Sequence, residues 1–260
     1  MAVVMLLALA AQAACSRPIK VPIASIGLSV ITAGEAVSGV YPDVLRELAS
    51  RQGCNFEFSV VPRARLEVMF EAGRADLLIP ASRSARRDEL GLFVPMIRSR
   101  AVIISTKSDR PPLRSVRDLL ERRALRVALV RGFDFGEAYQ SLVAELGRQG
   151  RVELHVDAAS VARMMQAGGA DLTIMAPSIL VGAIMGESRS AGLLDRLRYE
   201  PLEELPWGDS GAYLSRTALN DGDRAALRDL LSHAVRTGAV WKAFQRYYPA
   251  EALAGSIRPP

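Results

Sequence analysis

The sequence predicts an α/β protein made of two similar lobes, on three observations. A thirteen-residue passage occurs twice. Phe70-Glu-Ala-Gly-Arg-Ala-Asp-Leu-Leu-Ile-Pro-Ala-Ser82 is echoed by Met165-Gln-Ala-Gly-Gly-Ala-Asp-Leu-Thr-Ile-Met-Ala-Pro177, with seven of thirteen positions identical and no gap. Each copy reads as the last turn of a helix, a glycine stop, a short apolar strand and a small residue at the strand's end. Gly73 and Gly168 suit the left-handed position after a helix, where a side chain is disfavoured. The second observation is that strand-length and helix-length segments alternate along most of the chain, the pattern of α/β folds. The third is Asp109-Arg-Pro-Pro112, a charged, proline-paired linker after which the alternation starts again. A cleft between two lobes is a common place to hold a small ligand.

The elements follow in order. A first strand is expected at 19–24. Gly39-Val-Tyr-Pro-Asp43 opens a helix, with Pro42 suited to its first turn. That helix runs to about residue 52 and carries Val44, Leu45 and Leu48 on one face. A second strand (56–61) leads through Pro62-Arg63-Ala64-Arg65 into a helix bearing Leu66, Met69 and Phe70. After the first repeat strand (77–79), the polar segment 82–89 reads as a short helix capped by Ser84. Phe93-Val-Pro95 ends it, and a strand follows at 101–105. Beyond the linker come a helix, a strand at 125–130, the loop Arg131-Gly-Phe-Asp-Phe-Gly136, a helix at 137–146, a strand at 152–156, a helix at 160–166 and the second repeat strand. A strand at 211–214 and helices at 223–235 and 239–247 close the chain. Trp241, Phe244, Tyr247 and Tyr248 read as core packing of a terminal helix in preference to a binding stripe.

Bulk properties narrow the class. The 260 residues suffice for one large domain or two medium lobes, and 50% are apolar. The net charge of +5 comes mostly from arginine. There is no run of five like charges and no aromatic-basic interleaving, so nucleic acid is not the expected partner. The arginines between Arg114 and Arg126 stand among acids, as on a solvated helix face. Residues 3–11 form an apolar run too short to span a bilayer. Ala11-Gln12-Ala13 then matches the small-x-small pattern that a signal peptidase cuts, so export with cleavage after Ala13 is expected. The basic residues usual before such a run are missing, which leaves room for a start further upstream. In an oxidising compartment Cys15 and Cys54 pair more readily than they stay free. One precedes the first strand and the other the second, and adjacent parallel strands would bring those ends together.

The sequence offers no obvious catalytic set. Two distant histidines and no carboxylates at ligand spacing give no zinc or calcium site. No nucleophile elbow, phosphate loop or dinucleotide fingerprint is present, so neither metal nor cofactor is expected. What remains is a set of polar groups at strand ends: Ser82, Ser84 and Arg87 after the first repeat strand, and Asp134 in the loop after 125–130. An arginine fork matches a carboxylate, with serine hydroxyls and backbone amides completing the recognition. On chemistry alone Arg87 fits equally a solvated turn shared with Arg74, Arg83 and Arg86. Asp134 suits either a ligand cation or a helix cap.

Taken together, Gly39-Val-Tyr-Pro-Asp43-Val-Leu, Ala72-Gly-Arg-Ala-Asp76-Leu-Leu-Ile, Ser84-Ala-Arg-Arg87 before Phe93-Val-Pro95, Val116-Arg-Asp-Leu119 before Arg126-Val-Ala-Leu-Val-Arg-Gly132, Ala167-Gly-Gly-Ala-Asp171 and the close Val240-Trp-Lys242 resemble, in order and spacing, the amino-acid-type family of bacterial periplasmic solute-binding proteins. The resemblance covers essentially the whole mature chain. It implies the type II periplasmic-binding-protein fold: two α/β lobes, each a mixed sheet flanked by helices, joined by two crossover strands. The crossovers would be 101–105 and 211–215, giving a first lobe of 14–105 plus 211–260 and an inserted second lobe of 106–210. It further implies hinge closure on a ligand, monomeric action in the periplasm and delivery to the permease of an ABC transporter. Arg87 matches the arginine that grips a ligand carboxylate, with Ala81 and Ser82 as strand-end donors. Gly132, Phe133 and Asp134 match the second-lobe loop that faces the ligand, while Tyr41 and Arg63 are expected on the first-lobe wall.

Two departures stand out. Ala176-Pro177 occupies the place of the family's ammonium-binding aspartate, and Ser25-Ile-Gly27 the place of its usual aromatic. A small carboxylate-bearing solute is therefore expected, either without an α-amino group or with one held by Asp134. The rival readings are an enzyme on the same scaffold, resembling periplasmic cyclohexadienyl dehydratase, and a ligand-sensing module that docks to a membrane partner.

Overall fold

The computed structural model describes residues 15–260; the expected export signal, residues 1–13, lies outside them. The chain begins with β1 (Ile19–Ile23), a hairpin of β2 (Ile31–Ala33) and β3 (Ala36–Ser38), α1 (Val40–Gln52), β4 (Phe56–Val60), α2 (Arg63–Glu71), β5 (Leu77–Ser82), α3 (Ala85–Leu90) and β6 (Gly91–Ser99). Its middle holds β7 (Val102–Thr106), α4 (Val116–Glu121), β8 (Val127–Val130), α5 (Glu137–Arg148), β9 (Val152–His155), α6 (Ala158–Gln166), β10 (Leu172–Met175), α7 (Pro177–Met185), a 3-10 segment (Ser188–Arg196) and β11 (Leu197–Glu200). It ends with β12 (Gly208–Ser215), α8 (Asp221–Arg236), α9 (Ala239–Tyr247), α10 (Ala250–Ala254) and β13 (Ile257–Arg258).

Two bodies result. In the first, β1 and β4 pair in parallel, and β5 and β6 flank β12 in an antiparallel sheet ordered β13-β6-β12-β5. In the second, β11-β7-β10-β8-β9 form one mixed sheet, with β8 parallel to both β9 and β10 and β7 antiparallel to its neighbours. Helix ends are set by local chemistry. Ser84, Ser115, Asp157 and Asn220 each accept a hydrogen bond from a first-turn backbone N–H, satisfying a donor the helix cannot use.

The repeat does the same structural work twice. Gly73 and Gly168 have φ of +63° and +74°. Asp76 then accepts from the Lys20 N–H at 2.7 Å, and Asp171 from the Arg126 N–H at 2.7 Å. Each aspartate also pairs with an arginine, Arg17 and Arg126 respectively. In both bodies the carboxylate therefore ties the start of the repeat strand to the segment beside it, β1 in the first and the entry to β8 in the second, at the end away from the cleft. Cys15 and Cys54 form a disulfide beside the β1–β4 pairing, where Ile19 stands opposite Phe56.

Three features depart from the sequence reading. Pro95 lies inside β6 rather than ending a helix; the strand tolerates it because Gly211 of β12 stands opposite at a register shift. A side chain at Gly211 would meet the Val94 carbonyl at 2.0 Å, so the bulge depends on that glycine. With β6 supplying the strand of the first sheet, Val102–Thr106 falls inside the second sheet, between β11 and β10. The chain thus changes sheets at residues 100–101, ahead of the expected boundary after 105, and returns between 201 and 207. Helix α7 was not read at all: its residues are nearly all apolar and buried, so no amphipathic period marks it.

Candidate functional site

A cavity of about 50 Å³ lies between the two bodies. The first contributes Ile26, Ser29, Tyr41, Arg63, the β5 end Pro80-Ala81-Ser82 and Ser210. The second contributes Phe133, Asp134 and Phe135 from the loop after β8, and Ala176, Ser178 and Ile179 where β10 passes into α7. Both repeat strands thus deliver their last residues to one space. A wider cleft of about 1040 Å³ adjoins it and is lined by Ser84, Arg87, Glu67 and Gly132 among others. Of the expected site residues, Tyr41, Arg63, Ala81, Ser82, Phe133, Asp134 and Ala176 line the cavity, whereas Ser84, Arg87 and Gly132 line the adjoining cleft. The sequence reading missed Ile26, Ser29, Ser178, Ser210 and Phe244. Phe244 is fully buried and packs edge-on to Tyr41 at 5.6 Å, so a core aromatic is also a cavity wall.

Arg87 is only 5% exposed and is held by protein groups on every side. Its Nε and Nη2 donate to the Glu67 carboxylate at 3.0 and 2.7 Å, and its Nη1 donates to the Ser82 carbonyl at 2.8 Å. Asp134 Oδ2 stands 3.7 Å from Nη1. Burial alone would lower its pKa, but the Glu67 bonds and charge outweigh that and raise it, so Arg87 is held charged. Glu67 sits on α2, twenty residues earlier, and nothing in the local sequence announces the pairing. Ser84 caps α3 and donates its backbone N–H to Tyr213 Oη at 3.0 Å, a positioning role for the Arg87 turn.

Arg63 contrasts with it. No carboxylate lies within ion-pair distance of its guanidinium among the described residues; its Nη atoms make only long contacts, 3.3 and 3.4 Å, to the Pro80 carbonyl. The group lies over the Phe133 ring, 5.8 Å from its centroid. Burial first, and the Arg87 charge second, lower its pKa to about 10. Two hydroxyls facing the cavity make no hydrogen bond: Ser178 Oγ and Tyr41 Oη, both fully buried. Burial pushes the Tyr41 phenol up, and the neighbouring Ser210 hydroxyl opposes this.

The bodies touch on both flanks of the cavity. Ser82 Oγ donates to the Asp134 carbonyl at 2.7 Å, and a Cβ on Gly132 would lie 3.1 Å from Ala64 Cα. On the other flank a Cβ on Gly182 would lie 2.6 Å from the Leu28 nitrogen, and one on Gly27 2.9 Å from the Ile179 carbonyl oxygen. Asp134 accepts from the Gly136 N–H at 2.8 Å, just ahead of α5, as a cap would. Where the chain changes sheets, Trp207 lies between the Arg100 and Arg258 guanidinium groups, at 5.0 and 4.3 Å. No group of three or more potential metal ligands occurs among the described residues.

Solved structures share this architecture. A histidine kinase sensor domain with similarity to periplasmic binding proteins matches at TM-score 0.70 and 20% identity, covering 94% of this chain and 98% of the other. EhuB in complex with hydroxyectoine matches at TM-score 0.69 and 20% identity, covering 92% of each chain. The substrate-binding protein of an amino acid ABC transporter matches at TM-score 0.67 and 14% identity, covering 89% of this chain and 99% of the other. These likenesses establish the two-lobed periplasmic-binding-protein fold. A search of curated protein sequences gives no match. The family model described as bacterial extracellular solute-binding proteins, family 3, matches residues 24–249, and the chain belongs to that family.

Proposed function

We propose that the protein is a non-enzymatic periplasmic carrier that takes up a small carboxylate-bearing solute between its lobes and presents it to the permease of an ABC transporter as a monomer. Residues 15–99 with 208–260, and residues 102–200, are the two units that hinge. The observation carrying this reading is the interlobe cavity walled by both repeat strands and by an arginine, Arg63, that makes no ion pair among the described residues. A half-buried cation without an ion pair is costly, and an incoming carboxylate offsets that cost. Ser82, Ala81, Tyr41, Phe133 and Ala176 complete the binding wall. Arg87, Ser84, Gly132 and Asp134 act chiefly in closure, because the Arg87–Asp134 approach and the Ser82–Asp134 hydrogen bond both span the lobes. Asp134 is poorly suited to act as an elimination acid, since its carboxylate takes the Gly136 N–H and faces Arg87.

The test is a thermal-shift screen of the mature chain against amino acids, organic acids and polyamines. A ligand at about 100-fold over its Kd adds about 2.7 kcal/mol of stability. Carboxylates are expected to raise the melting point. A screen in which none does, while polyamines or neutral solutes do, overturns the proposal.

A further inference from the structure

We propose that Arg63, not Arg87, is the cation that grips the ligand, and that the cavity selects a short monocarboxylate carrying no ammonium group. This rests on the reading of the cavity as a solute site. Arg87 has no free fork to offer: Glu67 takes two of its nitrogens, the Ser82 carbonyl takes the third, and Asp134 stands beside them. A ligand carboxylate could reach it only by displacing a protein carboxylate already seated there. Arg63 has only two long contacts, both to the Pro80 carbonyl, and no acid within ion-pair distance among the described residues, while its guanidinium lines the same cavity. Its five N–H donors suit a carboxylate bidentately.

The other lining groups define the rest of the ligand. Ser178 Oγ is buried without a partner, and a hydroxyl or keto oxygen on the ligand would satisfy it, with the Tyr41 hydroxyl beside Ser210 close by in the same wall. Ile26, Ile179 and Phe244 supply apolar wall. Asp134 is the one carboxylate among the described residues lining the cavity, and it is already engaged by Gly136 N–H and by Arg87. A ligand ammonium group would therefore find no counter-charge and would sit in the field of two arginines. The space is small, about 50 Å³, which favours a short-chain acid over a large one.

Lactate and alanine share one skeleton and differ only in hydroxyl against ammonium, which makes them the decisive pair. Calorimetric titration of the full mature chain with propionate, both lactate enantiomers and both alanine enantiomers is expected to give the better lactate at least about tenfold tighter binding than either alanine. Arg63→Met, which keeps an apolar stem against Phe133, is expected to weaken lactate binding by more than about tenfold while leaving the ligand-free melting point close to wild type. Alanine binding as tightly as lactate sinks the selectivity, whatever the variant does. Undiminished lactate binding in a folded Arg63→Met sinks the arginine assignment. If short acids fail to bind but a longer carboxylate from the wider screen succeeds, this inference falls and the carrier reading stands; if no carboxylate of any size binds, the carrier reading falls with it.

Discussion

Gly182 offers a direct test of whether the two flanking surfaces must meet for a ligand to be held. It lies in α7 with ordinary helical geometry, so alanine there suits the helix better than glycine by about 1 kcal/mol. The added Cβ, however, would lie 2.6 Å from the Leu28 nitrogen and 3.1 Å from both Gly27 Cα and a Tyr248 ring carbon. The nearest of these is backbone, which cannot rotate away, so the surfaces must part by about 1 Å to reach ordinary contact. Overpacking of this kind costs about 1–3 kcal/mol, and if the lobes hinge as proposed, the cost falls on the arrangement in which these surfaces meet. A penalty of about 2 kcal/mol weakens the Kd of a ligand held by closure about 30-fold. Gly182→Ala is therefore expected to lose affinity by calorimetry for the tightest carboxylate found, while its ligand-free melting point stays level or rises. Gly147 on α5 is the control: nothing lies within 4 Å of its would-be Cβ, so Gly147→Ala should leave the Kd unchanged. An affinity for Gly182→Ala within about twofold of wild type refutes the requirement that these surfaces touch.

Further expectations concern stability. The Cys15–Cys54 bridge closes a loop with a sequence separation of 39, worth about 4 kcal/mol in the chain-entropy model; the double serine variant should melt about 10 °C lower, and equal melting of oxidised and reduced protein would contradict it. Glu200 is buried and accepts from Arg110, from Ser105 Oγ and from the Leu113 N–H. Burial alone would raise its pKa, but those partners outweigh it and hold it below the usual carboxylate value. Its contribution is thus fully present above its unfolded pKa of about 4.3 and is lost as pH falls through the lower folded value. Urea midpoints measured from neutral to strongly acidic pH should fall more steeply for wild type than for Glu200→Gln, and parallel curves would remove Glu200 from the account. Glu200→Ala, which strands Arg110, should cost about 3–5 kcal/mol at neutral pH.

The scaffold was legible wherever local chemistry alone decided it. Gly73, Gly168 and Ser84 sit in the conformations their residue types favour, and the β1–β4 pairing and the cysteine bridge follow from apolar runs around one helix. What escaped was decided at a distance. Pro95 signals a break by itself and becomes acceptable only because Gly211, far along the chain, yields a bulge opposite it. Helix α7 carries no polar face because the second lobe covers one side and the C-terminal segment another, with the Ser178 N–H donating to Ser256 Oγ. The candidate site was legible as a set of strand ends, with seven of the ten residues named in advance on the cavity wall. The difference in pairing between Arg87 and Arg63 was not, because it turns on Glu67, whose carboxylate reaches Arg87 only through the packing of α2 against β5.

The paired aspartates of the repeat carry a practical consequence. Asp76 and Asp171 anchor their strands from one end, while the residues lining the interlobe cavity stand at the other. Anchorage and recognition are thus separated by the length of a single strand in each half. Such a layout tolerates retargeting. Positions 81, 82, 176 and 178 can be varied as a small library without disturbing the clamps that hold the sheets together. Coupled to the approach of Gly182 and Leu28 as a distance reporter, the same chain becomes a frame for a fluorescent sensor whose specificity and signal are adjusted at different ends of the same two strands.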